Sequence, residues 1–305
     1  MIYFNNHNLL TLVLIDILIS VGGEFMIRSV GIIGNPLGHS ISPVFQQAAF
    51  DYLKLDVEYK IWETSSSDFQ EVIQNLRKVE CLGANITIPY KEEVIEYLDD
   101  LDPKAKLIGA VNTIVKNNNK LIGYNTDAFG FIQSIKANSN FSFKAKKALI
   151  LGAGGAARAA AFSMIDEGIN SLVIANRSLE RANKLGEDIS GFIEVETLDL
   201  KSSYFEKFVG SSNLIVNASS VGMAHTDLNN QSLIKVDWIS QGSLVFDMVY
   251  NPITTSLIAD SRKAGLETIN GLSMLIYQGA ASFNLWTNRD APIQIMIDAA
   301  EEAMK

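Results

Sequence analysis

The run at residues 148–158, ALILGAGGAAR, constrains this chain more than any other. Four apolar residues ended by glycine, 148–151, read as a short buried strand, and the alanine-rich segment 155–168 reads as the helix after it. Between them Gly152, Gly154 and Ala157 fill the three small-residue positions of a dinucleotide fingerprint. Gly152 permits the tight turn, Gly154 lets the backbone approach a pyrophosphate, and Ala157 lets the helix pack closely on the strand. The diphosphate would sit on the helix N-terminus, where free N–H groups and the helix dipole favour an anion. A glycine turn alone reports only a bend that uses positive φ; the strand before it and the helix after it point to a cofactor.

Two alternating series surround this unit. In the first, strand-like runs at residues 30–33, 57–62 and 84–88 alternate with helical segments at 43–53, 67–78 and 90–98, which implies a parallel sheet. Runs at 113–115 and 121–124 flank Asn117, Asn118 and Asn119, the signature of an antiparallel hairpin. A helix at 128–136 and the polar stretch ANSNFSFKAKK then lead to the glycine-rich strand. After it, strands at 172–175, 192–195, 214–217 and 244–248 alternate with helices, and the chain finishes with helices at 272–285 and 292–304 that have no strand to follow them. The expected fold class is α/β with two lobes. Residues 26–127 form an N-terminal α/β lobe, 128–268 a doubly wound nucleotide-binding lobe, and 269–305 helices that return to the first lobe. A cleft between the lobes is a common place for ligands.

At 305 residues the chain can hold two cores, since single cores stop growing near about 250–300 residues. Its net charge of −9 argues against a nucleic-acid or anionic-membrane surface, so an anionic ligand must be held by a few placed basic groups. Three His and one Cys leave no material for a Cys/His zinc site or a disulfide framework, so no metal is expected. Cys81 reads as a buried thiol in a reducing, cytoplasmic setting.

Residues 9–21 are apolar, but the run is too short to span a membrane and contains Asp16; no Lys or Arg precedes it as in a signal peptide. The strand pattern IRSVGIIG opens after Met26, and codons for Gly22, Gly23 and Glu24 can spell a purine-rich ribosome-binding sequence. Residues 1–25 are therefore expected to be an over-called start or a dispensable extension, a point that the intact mass of the native protein decides.

Several motifs carry chemistry. In GNPLGHSISP, residues 34–43, Ser40 and Ser42 are two apart before Pro43, so both hydroxyls could face one carboxylate at a helix N-terminus. Ser42 equally suits a helix cap with Pro43 at the first position, and His39 reads as structural. In NITIPYKEE, residues 85–93, Lys91 follows a strand end and falls in the first turn of the expected helix. The dipole there opposes its charge and lowers its pKa, as acid/base work requires; a solvated surface lysine balanced by Glu92 and Glu93 is the alternative.

GAVNT and GYNTD place Asn112, Asn125 and Asp127 at the open end of the hairpin. Asp127 reads either as a helix cap or as a carboxylate that holds the lysine across a cleft and binds a substrate hydroxyl, with the two amides suiting a polyhydroxylated substrate. In ANRSLER, Asn176 and Arg177 stand where an NAD-type domain carries an acid for the ribose 2′-hydroxyl. A guanidinium cannot accept that hydrogen bond but pairs well with a 2′-phosphate, which argues for NADP. Arg181, on the same helical face as Arg177, is either a second phosphate ligand or a solvated side chain. NASSVGM and FDMVYNP end strands on the cofactor edge and should border the nicotinamide. Gln278 is the one polar group on the core-facing side of GLSMLIYQGAASF that could turn toward a ligand.

Taken in order, GNPLGHSISP, GANITIPYKE, GAVNT, GYNTD, GAGGAAR, NRS, DMVYNP and GLSMLIYQGA make the chain resemble the shikimate dehydrogenase family from Met26 to its C-terminus. The resemblance implies a substrate lobe and a Rossmann lobe closing over a cleft. It also implies reversible NADP-dependent reduction of 3-dehydroshikimate to shikimate, in the chorismate route to aromatic amino acids. Carried over residue by residue, it makes Ser40 and Ser42 the carboxylate ligands, with Tyr250 reaching the same side. Lys91 and Asp127 become the catalytic pair, and Thr87, Asn112 and Gln278 bind ring hydroxyls. The turn residues Gly152, Ala153, Gly154, Gly155 and Ala156 hold the cofactor together with Asn176, Arg177 and Arg181, and Met248 and Gly271 border it.

Gln46 and Gln47 stand where many relatives have His-Asn, Ser219 stands where Thr is usual, and the segment before Met26 is outside the family pattern. The rival readings are a dual quinate/shikimate dehydrogenase, a silent NADP-binding sensor on the same fold, and a glutamyl-tRNA reductase-like enzyme. The last needs a cysteine in the site, for which Cys81 is badly placed. The sequence leaves monomer and homodimer open.

Overall fold

The structure, a computed structural model, describes residues 27–224 and 226–305. The expected extension, residues 1–25, lies outside the described residues. Among these there are two six-stranded sheets.

The first sheet comprises β1 (Arg28–Gly34), β2 (Val57–Glu63), β3 (Gly83–Ile86), β4 (Asp100–Leu101), β5 (Thr113–Asn117) and β6 (Lys120–Tyr124), in the order β2-β1-β3-β5-β6-β4. Strands β2, β1 and β3 run parallel, β5 runs antiparallel to β3 and β6, and β4 is parallel to β6. The sheet is therefore mixed: the two-residue turn at Asn118 and Asn119, with Asn118 at φ 55°, reverses the chain. Helices α1 (Ser42–Tyr52), α2 (Phe69–Asn75) and α3 (Pro103–Ile108) cover it.

The helix expected over residues 90–98 is instead a five-residue 3₁₀ turn, Glu93–Tyr97. The carbonyl of Lys91, which an α-helix would offer to the N–H of Ile95, accepts from Val111 N at 2.7 Å, and Ile95 N turns back to Glu92 O at 3.4 Å. Lys91 thus precedes a short 3₁₀ turn, and the helix dipole expected to act on it has no helix to come from.

The second sheet comprises β7 (Lys147–Leu151), β8 (Ser171–Asn176), β9 (Glu194–Asp199), β10 (Leu214–Asn217), β11 (Leu244–Asp247) and β12 (Glu267–Asn270), all parallel in the order β12-β11-β10-β7-β8-β9. Its central strands are apolar on both faces because both are covered. Ala148 and Ile150 join one core with α4 (Asp127–Asn138), α5 (Gly155–Asp166) and α6 (Leu179–Ile189). Leu149 and Leu151 point the other way, to α7 (Phe205–Gly210) and α8 (Ser256–Lys263). The strand expected at 192–195 lies instead at Glu194–Asp199, an edge strand that exposes its glutamates, and Phe192 is exposed ahead of it. Strand order reverses between β7 and β10, so a crevice opens at their carboxyl ends, the usual ligand position in such sheets.

Two helices cross between the sheets and pack on each other: α4, which follows β6, and α9 (Gly271–Thr287), which follows β12. The C-terminal α9 and α10 (Ile293–Ala303) return to the first lobe. Leu272, Ile276, Phe283, Met296 and Ala300 pack there with Val30, Ile32 and Phe45, and Trp286 Nε1 donates to Ile114 O at 2.9 Å. Burial of aromatics of this size stabilises by about 1.5–3 kcal/mol each, which ties the C-terminus to the first sheet. Arg158 of α5 joins the lobes directly. Its Nε donates to Ile108 O of the first lobe and its Nη1 to Asp188 Oδ2 at 2.7 Å.

Candidate active site

A cavity opens where the carboxyl ends of β1 and β3 face those of β7 and β11. Its volume is about 150 Å³, and it opens to solvent at the mouth of the cleft. Ten of the residues singled out in the sequence line it: Ser42, Thr87, Lys91, Asn112, Asp127, Ala156, Met248, Tyr250, Gly271 and Gln278.

Lys91 Nζ donates to Asp127 Oδ2 at 2.5 Å, with the two side chains 17% and 6% exposed. The other carboxylate oxygen, Oδ1, accepts from Asn112 Nδ2 at 2.8 Å. Asp127 is the first residue of α4, whose N-cap is Thr126, so its carboxylate faces the lysine rather than capping the helix. Asn112 also donates to Thr126 Oγ1 at 2.8 Å and Gln278 Oε1 at 3.1 Å, and its Oδ1 accepts from Thr126 N at 2.7 Å. A buried carboxylate held by two donors presents an ammonium in one orientation, as a proton-transfer group requires.

Asn125 is not part of this arrangement. Its Nδ2 donates to Ala110 O and its Oδ1 accepts from Ala128 N, so its amide serves the backbone and not a ligand. Ser42 is the first residue of α1, not its cap: Ile41 occupies that position and makes no side-chain hydrogen bond. Its buried hydroxyl borders the cavity. Ser40 lies beside it, accepting from Ser42 N at 3.4 Å, and shares a hydrogen bond with the Tyr250 hydroxyl. Burial pushes the Tyr250 phenol up, so it stays neutral and able to donate.

On the facing lobe, Gly152 has φ +117°, and a Cβ there would stand 2.9 Å from Ala218 O of the neighbouring crossover. Only glycine suits both demands. Gly154 is the N-cap of α5 and supplies no side chain, which leaves the first-turn N–H groups of Gly155, Ala156 and Ala157 to an anion. Ala153 turns its side chain into the core and leaves its backbone at the turn. A Cβ on Gly271 would come within 2.1 Å of Met248 O, so the N-terminus of α9 lies directly on the FDMVYNP segment. A dinucleotide fits this cradle: open N–H donors, no intruding side chain, and cations beyond.

Those cations follow β8. Arg177 is exposed, and Arg181 sits in the first turn of α6, capped by Ser178. Asn176 directs its Nδ2 to Ser178 O at 3.0 Å, so its side chain stabilises the loop. Beneath Met248, Asp247 is wholly buried and accepts from Asn217 Nδ2, Val249 N and Thr255 Oγ1. Burial pushes its carboxyl up to about 6, partly offset by those hydrogen bonds.

Sequence reasoning missed the floor of the cavity. Asn85 Nδ2 donates to Thr113 Oγ1 and Ser282 Oγ, and Thr113 Oγ1 meets Ser282 Oγ at 2.7 Å. Thr113 and Thr126 stand within GAVNT and GYNTD, and Ser282 is one helical turn after Gln278, the signal that could have found them.

Three family models match the chain: the shikimate dehydrogenase substrate binding domain over residues 32–114, shikimate / quinate 5-dehydrogenase over 135–247, and the shikimate 5′-dehydrogenase C-terminal domain over 271–301. The shikimate dehydrogenase (NADP(+)) of Methanopyrus kandleri is 37% identical over 289 residues, 94% of this chain and 99% of that relative. The structure of shikimate 5-dehydrogenase from Thermus thermophilus in complex with NADP(H) and shikimate is 33% identical with TM-score 0.81, covering 90% of this chain and 99% of that one. Quinate dehydrogenase from Corynebacterium glutamicum in complex with NAD has TM-score 0.82 at 27% identity, with 90% and 99% covered. Similarity of this extent runs through both lobes and the cleft between them, and the chain belongs to the shikimate dehydrogenase family.

Proposed function

We propose that this protein is an NADP-dependent shikimate dehydrogenase, reducing 3-dehydroshikimate to shikimate reversibly in the chorismate route to aromatic amino acids. The observation that carries this is the Lys91–Asp127 pair, at 2.5 Å, in one cavity with the serine, asparagine and glutamine side chains of a polyhydroxylated-acid site and with Ala156 of the first turn of α5, just after the glycine turn. We read residues 26–127 as the substrate lobe, 128–268 as the cofactor lobe and 269–305 as helices that complete the substrate lobe.

Held on the backbone of residues 152–156, a dinucleotide would supply the hydride to the ring carbon and accept it in the reverse direction. Lys91 gives the proton to the oxygen on that carbon or takes it back, a contribution of about 10² to 10⁴ in rate for a positioned acid/base. Asp127, steadied by Asn112, keeps the ammonium aimed into the cavity and accepts from a ring hydroxyl. Ser40, Ser42 and the neutral Tyr250 donate to the substrate carboxylate, while Thr87 and Gln278 take ring hydroxyls. Met248, Met274 and Leu275 keep water from the reacting face.

On the cofactor side the backbone of residues 152–156 takes the diphosphate, and Arg177 and Arg181 take the 2′-phosphate, beside Asn176. Gly271 lets the polypeptide close on Met248. We read the enzyme as cytoplasmic, where Cys81 stays reduced, and a homodimer is tested against monomer by light scattering.

Absorbance at the reduced-nicotinamide band tests the activity. Turnover chiefly with shikimate and NADP is the expected result. Comparable turnover with quinate or NAD makes the protein a broad-specificity enzyme, and none with any pair makes it a silent cofactor-binding protein.

A further inference from the structure

Glu92 of the first lobe and Arg181 of the second meet across the mouth of the cleft, Oε1 to Nη2 at 3.4 Å. The guanidinium of Arg181 reaches back over the glycine turn: the same Nη2 would lie 3.7 Å from a Cβ built on Gly154. Glu92 follows Lys91, whose stem lies against the same turn, 3.0 Å from a Cβ built on Gly155. Residues 91 and 92 therefore bring one cation and one anion of the substrate lobe onto the cofactor cradle. Among the described residues no carboxylate pairs with Arg177, so Glu92 acts on one of the two arginines only.

We propose that Glu92 is a specificity-determining residue: its carboxylate competes with the 2′-phosphate of NADP for Arg181, so that NADP, and not NAD, must displace a tie between the lobes. This rests on the NADP reading above. A phosphate carries about −1.5 to −2 charges and takes a guanidinium fork bidentately, so it displaces a single carboxylate contact of 3.4 Å. The displaced pair is open to water, with side chains 59% and 40% exposed, so the penalty it puts on NADP binding is small, about 1.5- to 5-fold in Kd. NAD presents a hydroxyl at that position, makes no claim on the guanidinium, and binds independently of Glu92. The tie thus narrows the preference for NADP that the two arginines create, while holding Arg181 over the cradle before the cofactor arrives.

Equilibrium titration of the full chain with NADP, NAD and 2′,5′-ADP, by calorimetry, tests this on wild type, Glu92→Gln, Arg181→Ala and the double variant. Glu92→Gln is expected to bind NADP and 2′,5′-ADP about 1.5 to 5 times more tightly, with NAD unchanged, and the gain should vanish in the Arg181→Ala background. Glu92→Ala should give the same gain, which separates loss of charge from any new contact of the glutamine. An equal gain for NAD, a gain that persists without Arg181, or unchanged or weaker NADP binding each overturns the proposal. Failure of the wild type to bind NADP and 2′,5′-ADP overturns the cofactor reading itself, and this inference with it.

Discussion

The two walls of the cleft are built by opposite means. On the substrate wall, side chains do the positioning: Lys91, Asp127, Asn112, Thr126 and Gln278 form one buried chain of hydrogen bonds, each member holding the next. On the cofactor wall the backbone does it: Gly152 and Gly154 clear a path to the first turn of α5, and the cations beyond, Arg177 and Arg181, stand in water. A side-chain network in low dielectric holds its groups in one geometry and loses much when one member is removed. An exposed cation contributes by attraction alone and loses less. Substitutions at the Lys91–Asp127 pair of the first wall should therefore damage the rate, and those on the second wall should damage affinity.

The largest effect is expected at Lys91. Lys91→Met removes the proposed proton donor while leaving an unbranched stem against Gly155, so kcat should fall about 10²- to 10⁴-fold with NADP affinity nearly kept. Asp127→Asn should cost kcat in the same range, because the amide no longer fixes the ammonium. Steady-state kinetics beside NADP titration reads both. A Lys91→Met enzyme with full turnover would erase the difference between the walls.

Asp247 is the exception on the cofactor wall, a charge buried like those opposite. Its carboxyl is pushed up to about 6 from 3.8. An acid whose folded pKa exceeds its unfolded value holds its proton better when folded. Its contribution is full below about pH 4 and is lost as pH rises through about 6, a change on the order of 3 kcal/mol. Asp247→Asn keeps the shape without the titration, so the stability difference between variant and wild type should grow in favour of the variant across that window. Urea unfolding at several pH values measures it; parallel curves would mean that the carboxylate is as well solvated as the arginines.

Next in size is Arg177→Ala. Loss of a charge-assisted contact to a phosphate is worth about 1.5–3 kcal/mol, so the Kd for NADP should rise about 10- to 100-fold and that for NAD should stay. Raising the salt should shrink the gap between wild type and variant, since the guanidinium is exposed. A fall in kcat at saturating NADP would instead join Arg177 to the rate-setting wall.

The walls also differ in how they could be read from the chain. The glycine turn was legible because one local backbone geometry demands those residues in that order, between a strand and a helix. Doubly wound topology was legible for the same reason, from central strands apolar on both faces. Edge elements were not: β4 is two residues long, β12 went unseen, and β9 hides its alternation among glutamates. The position of Lys91 at a strand end was legible, but not its setting, since the carbonyl that would begin a helix is taken by Val111, a residue of another segment. Asn125 reads like Asn112 by spacing, and only the fold shows its amide turned to backbone. Contacts such as Thr113 with Ser282 and Glu92 with Arg181 join residues far apart in the chain, so no local pattern records them.

Ser282 gives the smallest effect and the finest test of the substrate wall. Its hydroxyl meets Thr113 Oγ1 at 2.7 Å and Thr126 Oγ1 at 3.1 Å, accepts from Asn85 Nδ2 at 3.1 Å and donates to Gln278 O at 3.0 Å. None of these partners is left bare in Ser282→Ala: Asn85 keeps Thr113 and Asn112 O, and Thr126 keeps Asn112. The cost is then one buried hydrogen bond, about 1 kcal/mol, or roughly 2–4 °C in Tm for a lobe of this size. Because the lost contacts steady Thr126 and Gln278, which hold Asn112 rather than Lys91, KM for shikimate should rise a few-fold, about twofold to fivefold for that free energy, with kcat kept. A fall in kcat as large as that of Asp127→Asn would mean that the floor and the catalytic pair act as one unit, and the substrate wall would then have no part that serves binding alone.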